Sequence, residues 1–192
     1  MPIQLREGYD VIVAGGGTAG VIAAVAAARA GARTLLVEQN GFVGGTAATG
    51  LPIIAFHDNN DNQIVGGIPW EFACRLIEAG EAAHIITADI GGDWGRGGAN
   101  YTSRKIAVRP EGYRCTALEM LDEAGVDFLL HTFVTDVVME GARLTGLVVA
   151  GKAETWIVPT KVVIDCTGDG DVAVRAGASY ETGRARDQIT QP

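Results

Sequence analysis

Cysteine is scarce in this sequence, and its spacing forms no recognised set. Only three of the 192 residues are cysteines, Cys74, Cys115 and Cys166, and they lie far apart along the chain. Such spacing provides neither a disulfide framework nor a Cys-x-x-Cys redox motif nor an iron–sulfur ligand pattern. We therefore expect a reducing, cytoplasmic environment, and we predict no metal site.

Long apolar runs and dense basic runs are also missing. Arg29 and Arg33 interrupt the longest stretch of small apolar residues before it could span a bilayer, and no basic-then-apolar leader precedes Tyr9. The net charge is -8, whereas binding to nucleic acid or to an anionic membrane needs a positive face. We expect small molecules and other proteins as partners, with no nucleic-acid or membrane partner.

Glycine, by contrast, is abundant and clustered. The 47% hydrophobic and 20% charged content is typical of one globular domain. Its 27 glycines are concentrated in four segments. Clusters of this kind between apolar runs indicate turns in which the backbone passes close to another chain segment or to a ligand. The four segments are Gly15 to Gly20, Gly41 to Gly50, Gly91 to Gly98 and Gly168 to Gly170.

The N-terminal third has the pattern of a β-α-β unit. A β-branched run over residues 9–14 predicts a buried parallel strand, residues 18–30 predict a helix that is apolar on nearly every side, and residues 34–37 predict a second strand. The crossover between the two strands should be right-handed.

The rest of the chain predicts further α/β structure. We expect helices over residues 69–83 and 110–124, a strand at 126–130, and a long loop over 91–103. Alternating runs at 133–139, 144–150 and 155–158 predict a three-stranded antiparallel meander. A separate parallel strand at 161–165 and a helix at 171–176 should follow. The predicted fold is therefore a Rossmann-like α/β domain, a parallel sheet with a β-meander crossover.

The first glycine cluster has the G-x-G-x-x-G spacing of a dinucleotide site. Gly15, Gly17 and Gly20 stand between the first strand and the first helix, which is the context the motif requires. Gly15 permits a tight turn, Gly17 lets a pyrophosphate approach, and Gly20 lets helix and strand pack closely. Thr18 and Ala19 lie at the helix N-terminus, where unpaired N–H groups favour a diphosphate. The alternative is a purely structural turn.

A carboxylate ends the second predicted strand. Glu38 follows Gly20 at close to the spacing of about 20 residues at which an acidic residue binds an adenosine ribose. We expect Glu38, with Gln39 beside it, to accept hydrogen bonds from the 2′- and 3′-hydroxyls and to repel a 2′-phosphate. This disfavours NADP at the site but does not separate NAD from FAD.

Two later motifs resemble those of FAD enzymes. Gly44-Gly45-Thr46 and Cys166-Thr167-Gly168-Asp169 are similar to the second glycine pair and the later Ala-Thr-Gly-type motif of the glutathione-reductase-like, two-dinucleotide-fold superfamily. Within it, the chain resembles the FAD-dependent oxidoreductases related to the flavin part of heterodisulfide reductase. The segments that carry this likeness are residues 66–72, 110–126 and 166–171.

The resemblance implies FAD as the cofactor. It implies that the backbone of Val134 holds the adenine, and that Gly168 and Asp169 face the cofactor. No histidine lies between Glu38 and Gly50, where a succinate-dehydrogenase-like branch attaches FAD covalently, so non-covalent binding is implied.

Whole members of the superfamily are more than twice as long, and their late glycine–aspartate segment has no counterpart here. We therefore expect residues 1–192 to be an incomplete FAD-binding domain without a substrate domain. A partner chain or a missing C-terminal half would supply the remainder, and a homo-oligomer is left open.

Three functions follow from this pattern. The leading hypothesis is an oxidoreductase in which FAD accepts or donates a hydride at N5 with a small organic substrate. An NAD-dependent dehydrogenase would lack the meander and the second glycine pair. A non-catalytic nucleotide-binding fragment or subunit would need a partner chain and would expose an apolar face.

Catalytic residues are not predicted by any motif. His57, Arg96 and Arg109 lie in or beside polar loops and are weak candidates, since a residue without a motif around it is more often an ordinary surface residue.

Overall fold

A computed structural model describes residues 4–5, 7–53, 56–58, 62–85 and 105–190. The predicted loop over 91–103 and the candidate Arg96 lie outside these residues.

One seven-stranded sheet organises the described chain. Its strands are β1 (Gln4–Leu5), β2 (Tyr9–Ala14), β3 (Thr34–Val37), β6 (Asp127–Leu129), β7 (Phe133–Glu140), β8 (Arg143–Ala150) and β9 (Thr155–Asp165). They run in the order β6-β3-β2-β9-β8-β7, with β1 beside β9. Strands β6, β3, β2 and the end of β9 are parallel, while β7, β8 and the start of β9 form the antiparallel meander. The predicted fold class is confirmed.

The meander and the returning parallel strand are one strand, so the prediction of two separate strands is wrong. Strand β9 pairs antiparallel with β8 up to Pro159 and then parallel with β2 from Thr160 onward. Because proline lacks an N–H donor, Pro159 in the sequence suggests the end of a strand. Here it lies where β9 changes neighbours, so its missing donor interrupts little of either ladder.

Among the described residues, four helices accompany the sheet: α1 (Thr18–Arg29), α2 (Gly67–Glu78), α3 (Pro110–Glu123) and α4 (Asp171–Arg175), with a 3-10 turn at Gly45–Thr49. Helix α2 begins before Pro69 and ends earlier than the predicted residue 83. The chain then forms an antiparallel hairpin of β4 (Ala82–Ile85) and β5 (Lys105–Val108), which the sequence pattern did not predict.

Helices α1, α2 and α3 share one core with the sheet. Helix α1 buries Gly20, Val21, Ala24 and Val25, and it contacts both other helices, which explains its nearly uniform apolar composition. At the surface, Glu71 of α2 pairs with Arg29 of α1, and Arg75 of α2 pairs with both Glu71 and Glu123 of α3. The three helices are thereby joined by packing and by an ion-pair network.

Candidate functional site

A cleft of about 790 Å³ opens at the carboxyl ends of β2, β3 and β9. Ligands of open α/β sheets bind at this edge of the sheet. The lining residues are Gly15, Gly17, Thr18, Ala19, Val37, Glu38, Gln39, Asn40, Phe42, Gly45, Thr46, Thr49, Thr132, Phe133, Val134, Cys166, Thr167, Gly168, Asp169, Asp171 and Arg175. Eleven of the thirteen predicted cofactor residues are among them; Gly20 and Gly44 are not.

The three glycines of the first loop have two roles: two of them allow close packing, and one leaves open space. Gly15 has φ +98°, and a Cβ there would collide with the backbone of Cys166; a Cβ on Gly20 would collide with the carbonyl of Gly15. A Cβ on Gly17 would meet no atom within 4 Å. Two glycines therefore let the chain segments touch, and Gly17 leaves room in front of the helix.

The N-terminus of α1 opens on the cleft. Gly17 is the N-cap residue, no side chain caps the helix, and the first turn holds no acidic residue. The first N–H groups of a helix have no partner within it, and they carry about half a positive charge together. Thr18 and Ala19 line the cleft at this point, so the helix end can bind an anionic group.

The second glycine pair lies against the first loop. Gly44 N donates to Gly16 O at 2.7 Å, and Thr18 Oγ1 donates to Gly44 O at 3.4 Å. Gly44 and Gly45 both have positive φ, at 107° and 52°. Gly45 reaches the cleft, whereas Gly44 has a packing role.

Tyr113 packs against Gly44 of this pair, and it was not predicted from the sequence. Its side chain is 2% exposed, its ring contacts Phe72 edge-on at 4.7 Å, and a Cβ on Gly44 would meet that ring at 2.6 Å. Burial raises the pKa of the Tyr113 hydroxyl, and hydrogen bonding with Thr18 partly opposes this. A core aromatic has no sequence signature that separates this role from ordinary packing.

Glu38 is buried and surrounded by donors. It is 4% exposed; its Oε2 accepts Gly16 N at 2.7 Å, and its Oε1 accepts both Asn40 N and Asn40 Nδ2 at 2.7 Å. A buried carboxylate requires such compensation. The backbone around it is fixed as well, because Glu38 N donates to Leu129 O and Thr132 N donates to Glu38 O.

The loop after β9 is organised by Asp165. Its Oδ2 accepts Val172 N and Ala173 N at 3.0 and 2.9 Å, and its Oδ1 accepts Thr167 N and Thr167 Oγ1 at 3.0 and 2.7 Å. Burial alone would raise the pKa of the Asp165 carboxyl, but these hydrogen bonds hold it below its ordinary value. Asp165 thus caps α4 and shapes the segment that carries Gly168 and Asp169.

The third side of the cleft joins the meander to α4. Val134 lines it together with Phe133, whose side chain is 54% exposed. Arg175 donates to Thr135 O at 3.1 Å and pairs with Asp171 at 3.0 Å. Arg175, Asn40 and Phe42 were not predicted from the sequence, because no motif marks them.

Of the three weak catalytic candidates, the two that the structure describes, His57 and Arg109, do not line the cleft. His57 packs edge-on against Trp70 with ring centroids 6.1 Å apart, and its Nδ1 is buried without a hydrogen-bond partner. The Arg109 side chain is 74% exposed and lies 4.0 Å from Glu81. Neither position supports a role at the cleft.

Metal-ligating clusters and membrane-spanning helices are both absent from the described parts of the chain. These parts contain no group of three or more His, Cys, Asp or Glu side chains suited to a metal ion. None of the helices there has the length and apolar character needed to cross a membrane.

Residues 10–192 match the model of a protein family described as FAD dependent oxidoreductase. The chain belongs to this family. FAD is its cofactor, in agreement with the expectation from the sequence, and the family match favours FAD over the alternative of NAD.

Several solved structures share the fold of this FAD dependent oxidoreductase. Similar chains are a geranylgeranyl bacteriochlorophyll reductase-like protein from Thermoplasma acidophilum (21% identity, TM-score 0.59, 91% of this chain and 43% of that chain), L-proline dehydrogenase from P. horikoshii (15%, 0.60, 92% and 57%) and 3-ketosteroid-delta4-(5alpha)-dehydrogenase from Rhodococcus jostii RHA1 (19%, 0.61, 84% and 46%). At these identities the likeness shows the fold alone. The chain spans about half the length of these proteins.

The cleft fits the ADP part of FAD. Gly17 leaves space where a Cβ would otherwise project, and the uncapped end of α1 offers N–H donors to a diphosphate. Glu38 presents a carboxylate beside that space. These features are made by residues of this chain.

Proposed function

We propose that this chain is the FAD-binding part of an oxidoreductase that acts on a small organic substrate. In this proposal Gly17, Thr18 and Ala19 form the pyrophosphate site with Gly45 and Thr46, and the close packing at Gly15, Gly20 and Gly44 shapes it. Glu38 and Gln39 bind the ribose, the backbone of Val134 holds the adenine, and Gly168 and Asp169 face the cofactor. When bound, FAD supplies hydride transfer at its N5.

The observation that carries the proposal is the convergence of three loops on one cleft. The backbone of Gly15 contacts that of Cys166, Gly15 N donates to Val37 O, and Gly44 N donates to Gly16 O. These contacts bring the ends of β2, β3 and β9 together around the N-terminus of α1. The chain's own role is to bind and orient the dinucleotide, since it places neither His57 nor Arg109 at the cleft.

Redox chemistry is supported by the family and by the neighbours named as reductases or dehydrogenases. We propose that residues 1–192 form one incomplete FAD-binding domain. We also propose that the substrate contacts come from a partner chain or a further part of the protein, because the chain spans only 43% of the reductase-like protein. Fold alone does not select the substrate or the reaction.

The test is the visible absorption spectrum of the purified chain before and after incubation with FAD. We expect flavin bands shifted from those of free FAD and released on denaturation, as non-covalent binding requires. Bleaching of these bands by a panel of small organic substrates would then identify a reductive half-reaction. A chain that stays colourless with excess FAD would contradict the binding site proposed above.

A non-catalytic subunit that completes its site with a partner chain is the second candidate. It is favoured by exposed apolar side chains near the cleft and on the sheet, including Phe133 and Val162 at 54% and 52% exposure. It predicts that FAD binds weakly to the chain alone and that no substrate bleaches it.

A further inference from the structure

The carboxylate of Glu38 has little hydrogen-bonding capacity left for a ligand. A carboxylate offers about four acceptor positions, two on each oxygen. Asn40 N and Asn40 Nδ2 occupy both positions on Oε1, and Gly16 N occupies one on Oε2. One position remains, on Oε2. Glu38 therefore cannot accept both ribose hydroxyls while these hydrogen bonds persist, contrary to the expectation from the sequence.

Asn40 offers the missing acceptor. Its Nδ2 faces Glu38 Oε1 at 2.7 Å, and this orientation of the carboxamide is required because the opposite one would place Oδ1 against a carboxylate oxygen. The Oδ1 atom makes no hydrogen bond within the part of the chain that the structure describes, and Asn40 lines the cleft.

The position of Asn40 is fixed by its backbone. Its N–H donates to Glu38 Oε1 at 2.7 Å, and its carbonyl accepts His131 N at 3.0 Å. Both hydrogen bonds use main-chain atoms of Asn40, so they survive a change of its side chain. A variant at this position should fold and should alter only the carboxamide.

We propose that Asn40 is a ribose-binding residue that divides the two adenosine hydroxyls with Glu38. One hydroxyl donates to Glu38 Oε2, and the other donates to Asn40 Oδ1. This inference rests on the proposed function, because it places the adenosine ribose of FAD beside Glu38. It assigns to Asn40 a role in selecting a nucleotide with both hydroxyls free.

The experiment compares the affinities of the 192-residue chain for ADP and for 2′,3′-dideoxy-ADP by titration calorimetry. For Asn40→Ala we expect ADP to bind about tenfold more weakly, because the variant loses the hydrogen bond between a ribose hydroxyl and Asn40 Oδ1. For dideoxy-ADP the variant and the unmodified chain should agree within about twofold, because that ligand has no hydroxyl to lose.

Two further variants separate this role from a general effect on shape or folding. Asn40→Leu keeps the branched shape of the side chain and removes both polar atoms, so it should behave as Asn40→Ala does. Asn62→Ala is the matched control: Asn62 Nδ2 donates to the carboxylate of Asp58 at 3.0 Å, in an exposed turn outside the cleft. It should leave both affinities unchanged.

The outcomes distinguish this inference from the proposed function. Equal losses for ADP and dideoxy-ADP in Asn40→Ala, or no loss with ADP, would overturn the role of Asn40 while leaving the FAD site intact. An unmodified chain that binds ADP no better than dideoxy-ADP would refute the ribose site at Glu38. An unmodified chain that binds no ADP would overturn both proposals.

Discussion

Replacing Asp165 should destabilise the chain although this residue does not line the cofactor cleft. In Asp165→Ala, the N–H groups of Val172 and Ala173 lose their cap, and Thr167 loses the acceptor that orients its hydroxyl and its N–H. A side-chain cap contributes about 1 kcal/mol, and each remaining hydrogen bond contributes a further ~1 kcal/mol. We therefore expect the free energy of unfolding to fall by about 2–4 kcal/mol.

Asp165→Asn tests the same reasoning with the shape preserved. A carboxamide must present its NH2 group either to the two N–H groups of α4 or to the donors of Thr167, so one pair of hydrogen bonds is lost. We expect about half the effect of alanine.

The dependence on pH has a definite sign. Because the folded state holds the pKa of Asp165 below its ordinary value, its stabilisation is present above the unfolded pKa of about 3.9 and is lost as pH falls through the lower folded value. The difference between the native chain and Asp165→Asn should therefore be constant near neutral pH and shrink in acid.

Urea unfolding followed by circular dichroism measures these free energies. Asp136→Ala is the control, since Asp136 is exposed on β7 and, among the residues that the structure describes, its side chain accepts only the N–H of Val137; this substitution should lower the free energy of unfolding by less than about 0.5 kcal/mol. If Asp165→Ala lowers the free energy of unfolding no more than this control does, Asp165 does not organise the loop after β9.

Substitutions at four further positions test the packing, the cleft and the surface ion pairs. Gly17→Ala should fold normally, because its φ of -69° suits alanine and its Cβ would meet no protein atom within 4 Å. Its affinity for FAD, measured by titration, should nevertheless be at least ~10-fold weaker. Gly20→Ala should fail to fold, because its Cβ would collide with the carbonyl of Gly15. Tyr113→Ala should lower the free energy of unfolding by about 3–5 kcal/mol and Tyr113→Phe by about 1 kcal/mol, as measured in urea. Glu71→Gln should lower the free energy of unfolding by about 1 kcal/mol at pH 7, a modest figure because the Glu71 side chain is 34% exposed. Since the pKa of Glu71 is lowered to about 2, this loss should decline between pH 4.5 and pH 2 and be unchanged from pH 6 to 8.

Local patterns predicted the elements that depend on neighbouring residues. The strands over 9–14 and 34–37 have the predicted bounds, and the helices over 18–30 and 110–124 are each one residue shorter. The strand at 34–37 is a short apolar run, and the other three elements have a glycine or a proline at or just beyond one end. Such signals lie within a few residues of the element that they predict.

The errors arise where pairing with a distant strand decides the structure. Strand β9 continues through Pro159 because its partners change there, and no local pattern contains that information. The hairpin of β4 and β5 joins segments separated by residues 86–104. The end of α2 is different, because it is set locally: Glu81 N donates to Leu76 O and turns the chain toward β4.

The candidate site was predictable to the extent that it is built from backbone. Where main-chain atoms must touch, only glycine fits, as at Gly15 against Cys166 and Gly20 against Gly15. This requirement leaves a pattern that can be recognised in the sequence. It explains why the pyrophosphate loop could be placed from the sequence, although the binding roles of its residues stay predictions.

Side chains that act through geometry leave no comparable pattern. Asn40 follows Glu38 by two positions in a polar loop, and many residue types could occupy such a position without disturbing the fold. Its role follows only from two hydrogen bonds to one carboxylate oxygen and an unused acceptor beside the cleft. In this chain the backbone therefore determines that a dinucleotide can bind, while the pair of Glu38 and Asn40 would determine which ribose is accepted.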